Sequence, residues 1–488
     1  MAVPEKVLLA YPKTSLTPRA VWAPLSLMAL AAPLQQSYKP EIVDFRFVAD
    51  RDYETLIRET LDGDCLCLGI SCLTGYQIKD GLRIAALARR MKPDLPIVWG
   101  GYHPSILPEQ TVAHPLVDYV VRGQGELTFQ ELLAFFKGEG DLESIAGLTY
   151  KKDGQIIANP GRSVVELDNF PPMPYSLVEA ERYIDEDDLS HRTMSFVSSL
   201  GCPHKCGFCC ELAMFNRRWK GLSAERILDD VEKLVETYQL KGIHFVDANF
   251  FVNQRRTRKV CEGMIERKLK IPWAASGTAF QLARYSPELW ELMRDSGLKR
   301  IFVGVESGSS QTLETINKAA GVDDVLKTHE LCRQYGINMA FSIMVGFPFE
   351  TAEDVESTME LVQQLLVPSR NYQDPFVFFL PYPGSELYPE AVKSGFKDPQ
   401  SLEEWVGFDF ATFQGTWVDP KLKDRILQFI RFYFPLIYKE PPNRRKVLPS
   451  YWVLFLLRRM AKFRLSHRFY SFPVEWRVFQ RVFNVTKG

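Results

Sequence analysis

Short apolar runs rich in β-branched residues alternate with amphipathic helical patterns in two separate parts of this 488-residue chain. Five such runs lie in the first 140 residues, at 7–10, 41–45, 65–71, 97–100 and 119–122. Six more follow between Thr193 and about Pro389. Regular strand–helix alternation is typical of parallel sheets covered by helices. The pattern therefore predicts an α/β protein with a doubly wound parallel sheet followed by a partial βα barrel.

The segments between and after these two regions differ in character and predict the domain boundaries. Residues 147–157 read as a hairpin that turns at Asp153-Gly154, and Pro171-Pro172-Met173-Pro174 reads as an extended linker. We therefore expect four parts, namely a nucleotide-fold domain, a hairpin with linker, a barrel, and a mainly helical cap. Their expected ranges are 1–140, 141–190, 191–395 and 396–488.

The composition excludes several classes of protein. With 46% apolar and 24% charged residues, the chain is neither disordered nor collagen-like nor a coiled coil. A net charge of −1 argues against a general nucleic-acid binder. We expect no signal peptide, and the longest weakly polar stretch, 20–34, contains two prolines and is too short to cross a bilayer. We therefore expect a cytoplasmic protein.

Three of the nine cysteines are crowded into one short segment directly after a predicted strand. Cys202, Cys206 and Cys209 have the spacing Cys-x3-Cys-x2-Cys. Three thiolates on one loop can hold three irons of a [4Fe–4S] cluster and leave the fourth iron open. A zinc site is the alternative, and it would need a fourth ligand such as His204 or Cys210. The other interpretation of Cys210 is a packed thiol.

This cysteine motif, with Phe208 before its last cysteine, resembles that of the radical S-adenosylmethionine (SAM) superfamily. The resemblance implies that Cys202, Cys206 and Cys209 are the catalytic cluster ligands and that the open iron chelates SAM. Reductive cleavage of SAM then gives a 5′-deoxyadenosyl radical that removes hydrogen from an unactivated C–H bond. An external one-electron donor of the flavodoxin or ferredoxin type is implied as a partner.

Further motifs follow in the order that this superfamily shows. The resemblance places Asp247, after the second barrel strand, near the SAM amino group. Glu306 and Ser307, in Gly304-Val305-Glu306-Ser307-Gly308, are implied to bind the ribose or amino group of SAM. The segment around Gly346 resembles the strand that backs the adenine, and Pro383-Gly384-Ser385 resembles the last strand of the cobalamin-associated branch.

The first domain resembles the cobalamin-binding module found before some radical SAM barrels. Ser71-Cys72-Leu73 is followed by 26 residues and then Gly100-Gly101, which is the spacing of that module. The resemblance implies that Ser71, Leu73, Gly100 and Gly101 contact cobalamin. The Asp-x-His-x-x-Gly element is missing, so no histidine is expected on the lower face of cobalt, and Tyr76 is a candidate to cover it. An empty, vestigial nucleotide fold is the alternative.

The last 68 residues are basic and aromatic. They contain 16 Lys or Arg against 3 Asp or Glu, and 15 Phe, Tyr or Trp. The cations at 444–446, Arg458, Arg459 and Lys462 are interleaved with these aromatic residues. A helical cap over the barrel, contact with an anionic membrane, and binding of single-stranded nucleic acid are the three interpretations, and nucleic acid is the least favoured. The cap and the membrane contact are compatible.

Taken together, the resemblance implies a cobalamin-dependent radical SAM enzyme that methylates an unactivated carbon. One SAM would supply the radical, and methylcobalamin, recharged by a second SAM, would supply the methyl group. The same architecture occurs in enzymes resembling anaerobic Mg-protoporphyrin monomethyl ester cyclase, so cyclisation, oxidation or C–C bond formation is the alternative. A non-catalytic cobalamin or Fe–S sensor is the rival of another class. The expected substrate is a hydrophobic or anionic small molecule, for example a lipid or tetrapyrrole.

Overall fold

The structure of the chain is a computed structural model. It describes residues 4–14, 22–366, 375–408, 413, 415–439, 448–467, 469 and 473–482. The predicted fold class is confirmed: a doubly wound sheet, a curled parallel sheet and a helical C-terminal region follow one another along the chain.

The first sheet has seven strands in the order β2-β1-β3-β4-β5-β6-β7, of which the first five run parallel. The strands are β1 Lys6–Tyr11, β2 Lys39–Asp44, β3 Cys65–Ser71, β4 Ile97–Gly100, β5 Tyr119–Val121, β6 Leu148–Lys152 and β7 Gln155–Ala158. Helices of this region are α1 Leu25–Leu34, α2 Tyr53–Leu61, α3 Tyr76–Met91, α4 Tyr102–Ile106, α5 Pro108–Ala113 and α6 Glu126–Phe136. The predicted hairpin is β6 and β7, and it extends this sheet by two antiparallel strands.

The second region contains six parallel strands in the order β15-β14-β13-β12-β11-β8, with a small β9–β10 ribbon beside them. The strands are β8 Thr193–Phe196, β9 Ser199–Gly201, β10 Trp219–Gly221, β11 Gly242–Phe245, β12 Trp273–Gly277, β13 Leu298–Glu306, β14 Asn338–Val345 and β15 Phe376–Phe378. The helices are α7 Glu211–Phe215, α8 Ala224–Tyr238, α9 Gln254–Glu266, α10 Ala279–Leu282, α11 Pro287–Asp295, α12 Ser310–Thr315, α13 Val322–Tyr335, α14 Ala352–Leu365 and α15 Tyr388–Lys393.

The run at 193–199 predicts a single barrel strand, which is wrong in one respect, because β8 ends at Phe196. The cause is Asp247, whose carboxylate accepts a hydrogen bond from the Ser198 backbone N–H at 2.6 Å. That N–H is therefore directed to a side chain. The chain turns there and forms β9, which pairs with β10. This break places the cysteine loop at the carboxyl end of the barrel sheet.

The C-terminal helices pack on the barrel, as the cap interpretation predicts. They are α16 Pro420–Gln428, α17 Phe434–Tyr438, α18 Leu448–Ser466 and α19 Val474–Val482, with a π-helical turn, Phe429–Tyr433, between the first two. Ile426, Phe429 and Phe434 belong to the same buried core as the barrel strands. The cations at 444–446 lie outside the described residues. No helix in the described ranges is long and apolar enough to cross a membrane.

Candidate active site

The cysteine loop runs from β9 to α7 and is anchored to two other loops of the barrel. The Gly207 N–H donates to the carbonyl of Ile316 at 2.8 Å, and the Gly207 carbonyl accepts from the Leu387 N–H at 2.9 Å. The Cys209 N–H also donates to the Cys206 carbonyl at 3.0 Å. These bonds fix the position of the loop against the ends of the later strands.

The three predicted cluster ligands are free, half-buried thiols. Burial raises the pKa of Cys202, Cys206 and Cys209, so each thiol is neutral until a metal replaces its proton. The Asn249 side chain faces Cys202 and lowers the pKa of that thiol against the larger effect of burial. The buried Asn249 Nδ2 makes no hydrogen bond within the described structure. An unused donor at this position suits a negatively charged ligand beside the loop.

The residues proposed for a zinc site have other partners. His204 Nε2 lies 2.9 Å from Gln281 Nε2 and 3.2 Å from Gln281 Oε1. Burial raises the pKa of Cys210 to about 11, with a smaller contribution from Glu211. Across the described part of the chain, no three His, Cys, Asp or Glu side chains converge on a single-ion position, which zinc requires. An iron–sulfur cluster has no such requirement, because each thiolate binds a different iron.

Glu306 ends β13 in a strained backbone conformation. It is buried and has a φ of +67°, which is rare for a residue with a side chain, and the pairing with β14 shifts at this point. Such strain is common at functional sites. A side chain at Gly304 would place its Cβ 2.3 Å from Glu306 Oε1. A side chain at 304 would therefore displace the Glu306 carboxylate from its present position.

Lys318 is the partner of Glu306 and was not predicted from the sequence. Its Nζ donates to Glu306 Oε1 at 2.7 Å, and both side chains are only 7% exposed. Burial opposes the lysine charge, but the Glu306 carboxylate and the Cys206 thiol raise the pKa of Lys318 above its usual value. The ammonium also lies 5.8 Å from the centre of the Phe208 ring. A buried ion pair therefore adjoins the cysteine loop.

Removing one member of this pair should destabilise the fold. We expect Lys318→Gln to lower the free energy of unfolding by about 3 kcal/mol, because it leaves the Glu306 carboxylate buried without its partner. The double variant Glu306→Gln/Lys318→Gln should recover at least half of that loss. Urea unfolding of the cofactor-free chain measures both. A single variant as stable as the wild type would contradict the expectation.

Asp247 and Ser307 are buried and make hydrogen bonds to neighbouring loops. The two Asp247 oxygens accept from the Ser198 N–H and hydroxyl, each at 2.6 Å, and from the Ser199 hydroxyl at 2.7 Å. The Ser307 Oγ lies 3.0 Å from Thr358 Oγ1 and accepts from the Ser309 N–H. Their predicted contacts with SAM stay predictions. The structure gives each a second role, which is to hold a loop beside the site.

Gly346, the residue predicted to back the adenine, has a φ of +80° and follows β14. Its N–H donates to Glu350 Oε2 at 2.6 Å, and its carbonyl accepts from Trp417 Nε1 at 2.8 Å. Burial raises the pKa of Glu350 to about 7, against the two backbone N–H groups that lower it. Glu350 Oε1 is buried and makes no hydrogen bond within the described structure.

This carboxyl group should make stability depend on pH. Between its ordinary pKa of 4.5 and its folded pKa of about 7, the folded state keeps a proton that the unfolded state has lost. The free energy of unfolding should therefore fall as pH rises through this window, by up to about 3 kcal/mol from this group. In Glu350→Gln, this contribution to the pH dependence of the free energy of unfolding should be absent. Urea unfolding at about pH 4.5 and about pH 7 measures it. Identical pH profiles would contradict the assignment.

A cavity of about 440 Å³ lies between the carboxyl ends of the first sheet and the barrel. Ser71, Leu73, Gly100 and Gly101, four of the five residues predicted to contact cobalamin, line this cavity. Tyr76 does not line it, and its ring lies 5.8 Å from the Lys79 ammonium. The lining also includes Gln124, whose buried Nε2 has no partner within the described structure. An unused amide donor beside glycines is consistent with a polar cofactor there.

His103 and Tyr102 follow Gly101 and take different positions. His103 is fully buried against Trp405 and is not among the cavity lining, and burial lowers its pKa to about 3. Tyr102 lines the cavity, and its hydroxyl donates to the carboxylate of Glu211 directly after the cysteine loop. This bond joins the cavity of the first domain to the loop of the second.

Two families match separate parts of the chain. Residues 196–362 match the Radical SAM superfamily, and residues 14–133 match the B12 binding domain. These matches confirm the resemblance and the cofactors expected from the cysteine motif and from the Ser71 and Gly100 spacing. The chain is 30% identical over 393 residues to an uncharacterized methyltransferase of Pyrococcus horikoshii, covering 79% of this chain and 83% of that protein.

Two further comparisons cover nearly the whole chain. An anaerobic magnesium-protoporphyrin IX monomethyl ester cyclase of Rubrivivax gelatinosus is 24% identical over 463 residues, or 92% of this chain and 80% of the relative. The solved structure of OxsB, a cobalamin-dependent S-adenosylmethionine radical enzyme, matches with a TM-score of 0.71 and 19% identity. That match covers 99% of this chain and 75% of the other, and it shows a shared fold.

Proposed function

This chain belongs to the radical SAM superfamily and carries a B12-binding domain before its barrel, and we propose that it methylates an unactivated carbon of a small molecule. The observation that supports this proposal is the placement of the two sites. The cysteine loop and the cavity adjoin each other, and the Tyr102–Glu211 hydrogen bond joins them. A methylating enzyme of this kind needs both cofactors within reach of one substrate.

Some residues of the chain would bind the cofactors, and others position the loops around them. Cys202, Cys206 and Cys209 would hold the [4Fe–4S] cluster, and the charged Glu306–Lys318 pair would face the polar end of SAM. When bound, the cluster and SAM supply a 5′-deoxyadenosyl radical and cobalamin supplies the methyl group.

The positioning groups act on loops around that site. Asp247 and Ser307 fix the loops before the cysteines and after β13, and Phe208 and Gly346 would border SAM. Ser71, Leu73, Gly100 and Gly101 would border cobalamin. The largely apolar cavity between them would keep water away from reactive species.

The proposal is tested by following the methyl carbon of SAM. Protein reconstituted anaerobically with iron, sulfide and cobalamin would be incubated with a reductant, [methyl-²H₃]SAM and a small-molecule extract of the producing cells. A product that carries the deuterated methyl group supports methylation. A product that forms without the label supports the alternative, cyclisation, oxidation or C–C bond formation, for which the similarity to a cyclase is the specific observation.

We also propose that α18 brings the enzyme to an anionic membrane surface. Leu456, Met460 and Phe463 are spaced for one helix face, and they are 56%, 44% and 54% exposed. Arg459 and Lys462 are exposed beside them. Apolar side chains flanked by cations are typical of helices that lie on anionic lipid. Such contact would give access to a lipid or another membrane-dissolved substrate.

Vesicle binding tests this contact. The protein should sediment with vesicles of phosphatidylglycerol and phosphatidylcholine but weakly with phosphatidylcholine alone. Leu456→Glu/Phe463→Glu should reduce sedimentation about tenfold or more, because it puts two charges on the apolar face. Ile156→Glu, at an exposed apolar residue of β7 in the first domain, is the control. Equal sedimentation of all variants, or none of the wild type, would contradict the proposal.

A further inference from the structure

Phe302 is an exposed aromatic residue in the middle of a barrel strand. Its side chain is 42% exposed, whereas Ile301, Val303 and Val305 of the same strand are at most 1% exposed. Because side chains alternate along a strand, the buried residues form the face of β13 that packs on the helices. Phe302 lies on the opposite, inner face, and its side chain stays partly exposed there.

Gly304 identifies what that inner face adjoins. A Cβ at Gly304 would lie 2.3 Å from Glu306 Oε1 and 3.1 Å from Lys318 Nζ, so the Glu306–Lys318 pair occupies the inner face at this level. Phe302 is two residues earlier on the same face, or about 7 Å along the strand. An uncovered phenyl ring thus lies beside the charged pair at the proposed SAM site.

Small side chains flank this ring. Its register partners are Ser276 of β12 and Ala340 of β14. Arg300, two residues before Phe302, lies on the same face nearer the amino end of β13. Its guanidinium forms ion pairs with Asp187 and Asp188. Small neighbours leave space over the ring, and the ion pair closes that end of the space.

A second exposed aromatic residue lies at the inner side of the barrel sheet, on the neighbouring part formed by β11. Trp22 is 52% exposed and lies edge-on to His244, with ring centres 6.0 Å apart. His244 is the register partner of Ala274, which pairs with Arg300, so it lies on the inner face. Trp22 also lines the cavity together with Val197 and Val246, the residues directly after β8 and β11. The cavity therefore extends to Trp22 and to the carboxyl ends of β8 and β11.

We infer that the inner face around Phe302 binds an apolar ring or chain of the substrate, and that Phe302 contacts it. The inference rests on the proposed function and names the substrate class for that site. Covering the exposed part of the Phe302 ring removes apolar surface from water, which favours apolar molecules over polar ones. The Arg300 guanidinium is already paired with Asp187 and Asp188, so it does not offer its charge to an anionic group of the substrate. An apolar moiety bound there would lie next to the Glu306–Lys318 pair.

The neutral fluorescent probe N-phenyl-1-naphthylamine tests this inference on the full-length chain. Wild-type protein should bind it saturably, and Phe302→Ser should weaken binding about tenfold or more. Phe302→Leu, which keeps an apolar side chain, should stay within about threefold of the wild type. Leu456→Ser controls for binding to α18 and should leave the affinity unchanged. The Phe302 side chain is exposed, so an unchanged melting temperature is expected for Phe302→Ser.

The outcomes separate this inference from the proposed function. Equal affinities of wild type and Phe302→Ser, loss with Leu456→Ser instead, or no saturable binding would each overturn the inference. Release of 5′-deoxyadenosine by the reconstituted wild-type protein is measured on the same preparation. If release occurs and the probe data fail, only the inference is wrong. If release fails in the wild type, the proposed function is wrong whatever the probe binds.

Discussion

Cys206→Ala is expected to abolish reductive cleavage of SAM, with a loss of 5′-deoxyadenosine release of at least about 100-fold. Replacing a residue that only hydrogen-bonds to a metal ligand typically lowers metal affinity or activity about 10–100-fold. Replacing a ligand itself should lower them at least as much. Cys206 is one of the three half-buried thiols of the Cys-x3-Cys-x2-Cys motif on the anchored loop. The iron content of the anaerobically purified variant should fall in parallel.

Cys210→Ala is the matched control for this prediction. Cys210 is also a half-buried thiol of the same loop, and it has the same residue type and similar burial. Since it lies outside the Cys-x3-Cys-x2-Cys spacing, its replacement should leave iron content and 5′-deoxyadenosine release within about twofold. If Cys206→Ala retained cleavage, or if the Cys210 variant lost it to the same extent, the assignment of the triad would be wrong.

Gly100→Val should remove cobalamin while leaving the iron–sulfur cluster in place. A Cβ at Gly100 would lie 3.5 Å from the Val121 carbonyl oxygen, an ordinary contact, so the fold accommodates it. The methyl groups of valine would instead project towards the cavity that Gly100 lines. Overfilling a binding site typically costs 1–3 kcal/mol, so cobalamin content after reconstitution should fall about tenfold or more. Absorption spectra and iron analysis measure both cofactors.

Gly161→Val is the control for this substitution. Gly161 is exposed, no atom lies within 4 Å of its Cβ position, and it is not one of the residues that line the cavity. The same side chain at this site should leave cobalamin content unchanged. Full cobalamin content in Gly100→Val would show that the cofactor does not use this cavity. Loss of iron together with cobalamin would indicate a general folding defect.

Much of the fold could be predicted because buried parallel strands give continuous apolar runs. The strands Cys65–Ser71 and Ile97–Gly100 were predicted with their observed bounds, since each is flanked by polar or glycine residues. The break after Phe196 was not predicted, because it depends on Asp247, which is 49 residues away from Ser198. Local apolar patterns contain no information about such distant hydrogen bonds.

The candidate site shows the same division. The cysteine spacing is local, so the triad could be predicted from the sequence alone. Lys318 could not be, because the loop after α12 returns it to Glu306, and Ile316-Asn317-Lys318 has no pattern of its own. Asn249, two residues after Asp247, was missed although it follows the same strand end. The only sequence signal at this place is a polar residue after a strand end, and Asp247 and Asn249 both fit it.

The most direct test of the account is whether the methyl group of SAM reaches the protein-bound corrinoid. Reconstituted protein would be incubated anaerobically with [methyl-¹⁴C]SAM and a reductant and then separated into protein, corrinoid and nucleoside fractions. The account predicts radioactivity in the corrinoid fraction of the wild type and little in that of Gly100→Val. Release of 5′-deoxyadenosine with an unlabelled corrinoid would contradict methyl transfer and would favour a radical enzyme of another reaction class.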